Sequence, residues 1–220
     1  MRKAPQQRRK RHLGLEPPAE AATATVTQRP RPQTRSRATT RRERPQLPTV
    51  RLMGIELHAI TEGRAIDYIL DELDNGNGGA VVTPNLDHIR RCTRDLSFAA
   101  LVAEADLVVA DGMPLIWASK LQGTPLPQRV AGSDLISSLS AAAAEHSRSI
   151  FLLGGAPGTA EGASRILQRN NPTLNITGHY CPPFGFEKDE REIGRIVNML
   201  TEAKPDIVFV MSYPNDSVAI

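Results

Sequence analysis

Ala105-Asp106-Leu107-Val108-Val109-Ala110-Asp111-Gly112-Met113-Pro114 decides the fold. An apolar run closed by Asp111-Gly112 reads as a strand over 105–110, and a short helix is expected from about Pro114 to Leu121. Upstream, Ala80 to Thr83 is a second buried strand that runs into Pro84-Asn85, followed by one helix from about Leu86 to Glu104 with Ile89, Cys92, Leu96 and Ala99 inward. Downstream, Ser133 or Asp134 is placed to cap a helix carrying Leu135, Ile136 and Leu139.

The alternation continues to both ends of the body. Val50 to Ile60 forms a first β unit, and a helix near Gly63 to Leu73 follows, with Ala65, Ile66, Ile69, Leu70 and Leu73 on one face. Ser149 to Leu153 is an apolar strand closing in Gly154-Gly155-Ala156-Pro157-Gly158, with a helix behind it to about Arg169. Leu174 to Thr177 and Pro205 to Met211 are further strands. Between them, Asp189 to Ala203 spaces Ile193, Ile196, Val197 and Leu200 as an amphipathic stripe. Short β-rich runs alternating with such helices predict an α/β fold: a Rossmann-like, mainly parallel sheet with helices on both faces.

Charge divides the chain. Residues 1–50 hold 13 Lys/Arg against 3 Asp/Glu, and the remainder holds 14 against 21, so a tail of +10 precedes a body of −7. The first 50 residues also hold 7 of the 17 prolines and no Phe, Trp or Tyr. Residues 1–48 therefore read as a disordered basic Pro/Arg-rich tail and 49–220 as the folded domain. Such a tail reads first as a solvated extension; it could alternatively attract nucleic acid or anionic lipid, but without interleaved aromatics to stack on bases, nucleic acid is not the expected partner. Arg8-Arg9-Lys10-Arg11 lacks the apolar stretch of an export signal, and no run is long enough to span a membrane. Cys92 and Cys181 have no metal spacing and read as reduced thiols, so the expected location is cytoplasmic.

Ligands of open parallel sheets bind beyond the carboxyl ends of the strands. Thr83-Pro84-Asn85, Asp111-Gly112 and Gly154-Gly155 all fall at such ends. Asp111 has two readings: a general base whose pKa is raised at the rim of an apolar sheet, or a turn residue ahead of Met113-Pro114 with Gly112 supplying a backbone angle. Gly154-Gly155 with Gly158 could hold phosphates through N–H groups and a helix dipole, or could simply make a tight strand-to-helix turn. Arg129 could pair with a diphosphate, or remain solvated. His58, His88, His146 and His179 show no metal spacing, and no D-x-D motif is present, so neither a metal nor an organic cofactor is expected.

The series Val82-Thr83-Pro84-Asn85, Ala105 to Pro114, Arg129-Val130-Ala131-Gly132-Ser133-Asp134-Leu135, Phe151 to Gly158, Tyr180-Cys181-Pro182-Pro183-Phe184-Gly185 and Pro205 to Val210 resembles, in order, the WecG/TagA/CpsF glycosyltransferases. The resemblance covers about residues 52–211. It implies metal-independent, inverting transfer of an N-acetylmannosamine-type sugar from a UDP donor to an undecaprenyl-linked saccharide, in surface polysaccharide or teichoic acid assembly. On that basis Asp111 matches the general base, Thr83 and Asn85 match active-site positions, and Gly112, Arg129, Gly132, Gly154 and Gly155 are substrate-binding candidates. The family's closing segment after the last strand is replaced here by Met211-Ser212-Tyr213-Pro214-Asn215-Asp216, so the domain is expected to be incomplete at its C-terminus. Peripheral contact with the inner face of the cell membrane and homo-oligomerisation through an uncovered sheet edge complete the expectations. The competing readings are a non-catalytic nucleotide-binding module and a polybasic nucleic-acid-binding protein.

Overall fold

The computed structural model describes residues 45–211. Most of the tail and residues 212–220, including the departure after Met211, lie outside them. Ahead of the first strand, Leu47 packs beside Ile60 and Tyr68, and the Pro48 carbonyl accepts from Ala59 N–H at 2.8 Å.

The expected first β unit is an antiparallel hairpin, β1 (Thr49–Leu52) and β2 (Ile55–His58). Met53 and Gly54 turn it with φ of 49° and 88°, the positive angles that a two-residue hairpin loop needs. Helix α1 (Glu62–Asp74) follows, capped by the Thr61 hydroxyl. Strands β3 (Val81–Val82) and β4 (Leu107–Val108) pair in parallel.

Two helices stand where one was expected, α2 (Leu86–Cys92) and α3 (Leu96–Ala103). The chain breaks at Thr93-Arg94 because the Asp95 carboxylate accepts from Phe98 N–H at 3.0 Å and starts a new helix. The break rotates the second face. Ile89 and Cys92 are buried as expected, whereas Leu96 is 84% exposed and Phe98 and Val102 take the inward positions.

Helices α4 (Met113–Leu121) and α5 (Gly132–Glu145) follow. Then come β5 (Ser149–Gly154), α6 (Thr159–Asn170), β6 (Asn175–Tyr180), a short 3-10 turn, α7 (Glu190–Ala203) and β7 (Ile207–Met211). Strands β6, β5 and β7 form a parallel sheet in that order, with β5 central and wholly buried. Alternate residues of β5 serve opposite faces, as pleating requires. Ile150 and Leu152 pack with Ala160 and Leu167 of α6, while Phe151 and Leu153 pack with Ile196 of α7. Strand β4 behaves likewise, sending Val108 toward Ile89 and Phe98 and Leu107 toward Ala65 and Tyr68. The α/β expectation holds, with the parallel strands divided between two sheets. The α7 stripe is only partly covered: Ile196 is buried, but Ile193 and Val197 are exposed.

Each parallel sheet is pinned at its amino end by an aspartate. Asp106 accepts from Ala80 N–H at 2.7 Å, joining the starts of β3 and β4. Asp206 accepts from Ser149 N–H at 2.8 Å and from the Ser149 hydroxyl at 2.6 Å, and it pairs with Arg148 at 3.4 Å. Arg148 also meets Asp74 at the end of α1. Asp206→Ala strands the Ser149 donors and should cost about 2 kcal/mol or more. Urea unfolding is expected to show a lower midpoint at unchanged slope, since the unfolded surface is the same.

Candidate active site

The ends of β3 and β4 are carried past the strands by backbone bonds. Val109 N–H donates to Val82, Asp111 N–H to Pro84 at 3.0 Å, and Val130 N–H to Ala110 at 2.9 Å. This ladder brings three distant segments together, so that Thr83, Asp111 and the start of α5 share one rim. Gly132 suits this close approach: a Cβ at that position would stand 3.0 Å from the Thr83 hydroxyl and press on it.

Asp111 lies between a donor and a cation. The Gly132 N–H favours the charged form of its carboxylate, which faces Arg129, whose Nη1 is 3.8 Å away. Burial raises its pKa above the usual carboxylate range, against the lowering by Gly132 and Arg129; Asp134 adds to the rise and His88 opposes it. Asp134 is not the helix cap that the sequence suggested. Ala131 holds the N-cap position of α5 without a side-chain cap, and Asp134 pairs with Arg129 Nη2 at 2.5 Å. A lone solvated arginine is thus also excluded, because Arg129 bridges two carboxylates.

Asn85 sits in the same rim as the N-cap of α2. Its Oδ1 accepts from Asp87 and His88 N–H groups, both at 3.0 Å, and its own N–H donates to His88 Nδ1 at 3.2 Å. His88 is the residue that sequence reasoning set aside. An acceptor Nδ1 places the proton of the neutral ring on Nε2. The ring stacks on Phe98 at 6.1 Å, and burial lowers its pKa, with Asp87 and Asp111 raising it and Arg91 lowering it. The spacing Asn85-x-x-His88 is that of a capping box and could have indicated it.

A cleft of about 1090 Å³ opens over this rim. Thr83, Asn85, His88, Asp111 and Gly132 line one part of it, and β7 also contributes to the lining. Gly112 adjoins Asp111 with φ 120° and starts α4. Gly154 and Gly155 are not in the lining. At Gly154 (φ 94°) a Cβ would fall 2.1 Å from the Met211 carbonyl, and Gly155 N–H donates to that same oxygen at 2.8 Å. Their geometry favours the tight-turn reading, since the N–H of Gly155 is committed to β7.

A partly desolvated carboxylate at a parallel-strand exit, lining an open cleft and faced by a guanidinium, makes Asp111 a candidate acid–base residue of an α/β protein. The chain belongs to the glycosyl transferase WecG/TagA/CpsF family, whose model matches residues 50–216. It is 31% identical over 149 residues to an N-acetylglucosaminyldiphosphoundecaprenol N-acetyl-beta-D-mannosaminyltransferase of Bacillus spizizenii, an alignment covering 67% of this chain and 56% of the relative. A protein of the same name from Staphylococcus aureus is 27% identical over 178 residues, covering 80% of this chain and 68% of the relative. The chain thus spans little more than half the length of the Bacillus relative.

Asn85→Ala should cost about 1 kcal/mol through the lost cap, while Asn85→Ser should retain most of the stability, as read by thermal unfolding. Arg129→Gln removes a cation that stabilises the Asp111 carboxylate, so an NMR titration of that carboxyl should find its midpoint higher than in the unmodified protein.

Proposed function

We propose that this chain is a glycosyltransferase that moves an N-acetylmannosamine-type sugar from a UDP donor to an undecaprenyl-diphosphate-linked N-acetylglucosamine acceptor. The observation that carries the reading is the Asp111 carboxylate, partly buried just past the end of β4 and facing Arg129, with Gly132 N–H favouring its charged form. Family membership and the names of the two relatives supply the sugar and the acceptor.

In this reading Asp111 takes the proton from the acceptor hydroxyl. The hydroxyl oxygen bonds to the anomeric carbon as the bond from that carbon to the UDP oxygen breaks, which inverts the configuration. A raised pKa suits a base, since proton transfer is most effective when the catalytic pKa lies near the working pH. Arg129 and the uncapped N-terminus of α5 offer positive potential to the diphosphate as charge develops on it. Thr83 and Asn85 orient the sugar, and Gly132 keeps the rim open. No metal ion takes part. In this reading the chain meets the inner face of the cell membrane as a peripheral protein, as a lipid-linked acceptor would require; no helix among the described residues is long and apolar enough to cross a membrane.

UDP release from UDP-N-acetylmannosamine, with and without the lipid-linked acceptor, tests this. Acceptor-dependent release that survives EDTA and falls by about 10²-fold or more in Asp111→Asn is the expected result. Its acid limb should lie above the ordinary carboxylate range, because activity needs the deprotonated form and burial raises the pKa. In Arg129→Gln that limb should move to higher pH. Full activity in Asp111→Asn would overturn the assignment, and UDP binding without turnover would favour a nucleotide-binding module.

A further inference from the structure

Helix α4 begins two residues after Asp111 and carries an apolar stripe that no other part of the described chain covers. Met113, Trp117 and Leu121 recur at every fourth position, so they lie along one side of the helix. They are 43%, 62% and 92% exposed, whereas Leu115 and Ile116 on the other side are buried. From Met113 to Leu121 the stripe runs about 12 Å, the rise of eight helical residues. Lys120 is the only charged side chain of the helix, and it is exposed between Trp117 and Leu121.

We propose that this stripe is the surface on which the protein rests against the lipid bilayer that holds its acceptor. The inference builds on the lipid-linked acceptor proposed above. An acceptor tethered to a membrane must bring its sugar hydroxyl to Asp111 while its diphosphate stays at the bilayer surface. A lipid-seeking face that starts at the same rim meets that demand with no further movement of the chain. Its chemistry fits an interface: aliphatic side chains to enter the acyl boundary, a tryptophan suited to headgroup depth, and one cation with no acidic neighbour on the helix to meet lipid phosphates.

Trp117 is the only tryptophan in the chain, so its emission reports on this face alone. The full-length protein is titrated with vesicles of phosphatidylethanolamine and phosphatidylglycerol, with and without brominated acyl chains. The expected result is a blue shift of Trp117 emission that the brominated lipid quenches. Leu121→Asp, at a position outside the core, should keep the far-UV spectrum and lose about tenfold or more of the vesicle affinity read by Trp117, the effect of withdrawing one leucine from burial. Any binding through the basic tail would persist in this variant under sedimentation, so the two sources separate. Emission unmoved by vesicles, or equally moved in Leu121→Asp, overturns the proposal. A blue shift that grows with protein concentration without vesicles also overturns it, in favour of a second copy on the stripe. Quenching by vesicles in a chain that releases no UDP would support the surface and count against the sugar-transfer reading. UDP release from a vesicle-borne acceptor with Trp117 unmoved would overturn the surface alone.

Discussion

The parallel ladder between β3 and β4 is the constraint on which the site depends. It is short as a pair of strands, yet its bonds continue from Ala80 through Val82 and Pro84, and Ala110 then passes it to Val130. Those continuing bonds align Thr83, Asp111 and Gly132, which are far apart in sequence. Asp106 fixes the register at the opposite end, where a slip of one residue would send every side chain to the wrong face. Asp111 is therefore placed by backbone pairing, and its chemistry follows from what the pairing puts around it.

The rim balances opposing effects on one carboxylate. Desolvation by the sheet disfavours charge, while Gly132 N–H and Arg129 favour it; desolvation prevails, and the pKa rises. Arg129 is shared between Asp111 and Asp134, so Asp134 regulates how much of that cation Asp111 feels. Partly exposed ion pairs of this kind add little to stability. Their value here lies in setting protonation and in presenting a guanidinium to an anionic ligand.

The parallel α/β character was legible because buried strands such as Leu107 to Ala110 and Ile150 to Leu153 stand out as apolar runs, and strand ends follow from Asp-Gly and Gly-Gly. The division of the helix at Thr93 was not, since Asp95 acts as a cap only when the chain bends there, and a continuous helix satisfies the same periodicity up to Cys92. At the site, Asp111, Thr83 and Asn85 come together as their positions at strand ends suggested, and Gly132, a candidate through the family resemblance alone, joins them through the bond of Val130 to Ala110. His88 escaped because its role depends on a hydrogen bond to Asn85 and a contact with Phe98, neither visible as a metal spacing. Gly154 and Gly155 have the composition of a phosphate loop, but β7 approaches them too closely for that use, a tertiary fact no local motif encodes.

In the proposed reaction the donor binds over the ends of β3 and β4 at the start of α5. Backbone amide chemical-shift mapping during titration with UDP tests it directly. Shifts concentrated at Thr83, Asp111, Arg129 and Gly132 are the predicted result; shifts confined to residues remote from this rim, or none at saturating UDP, would contradict it.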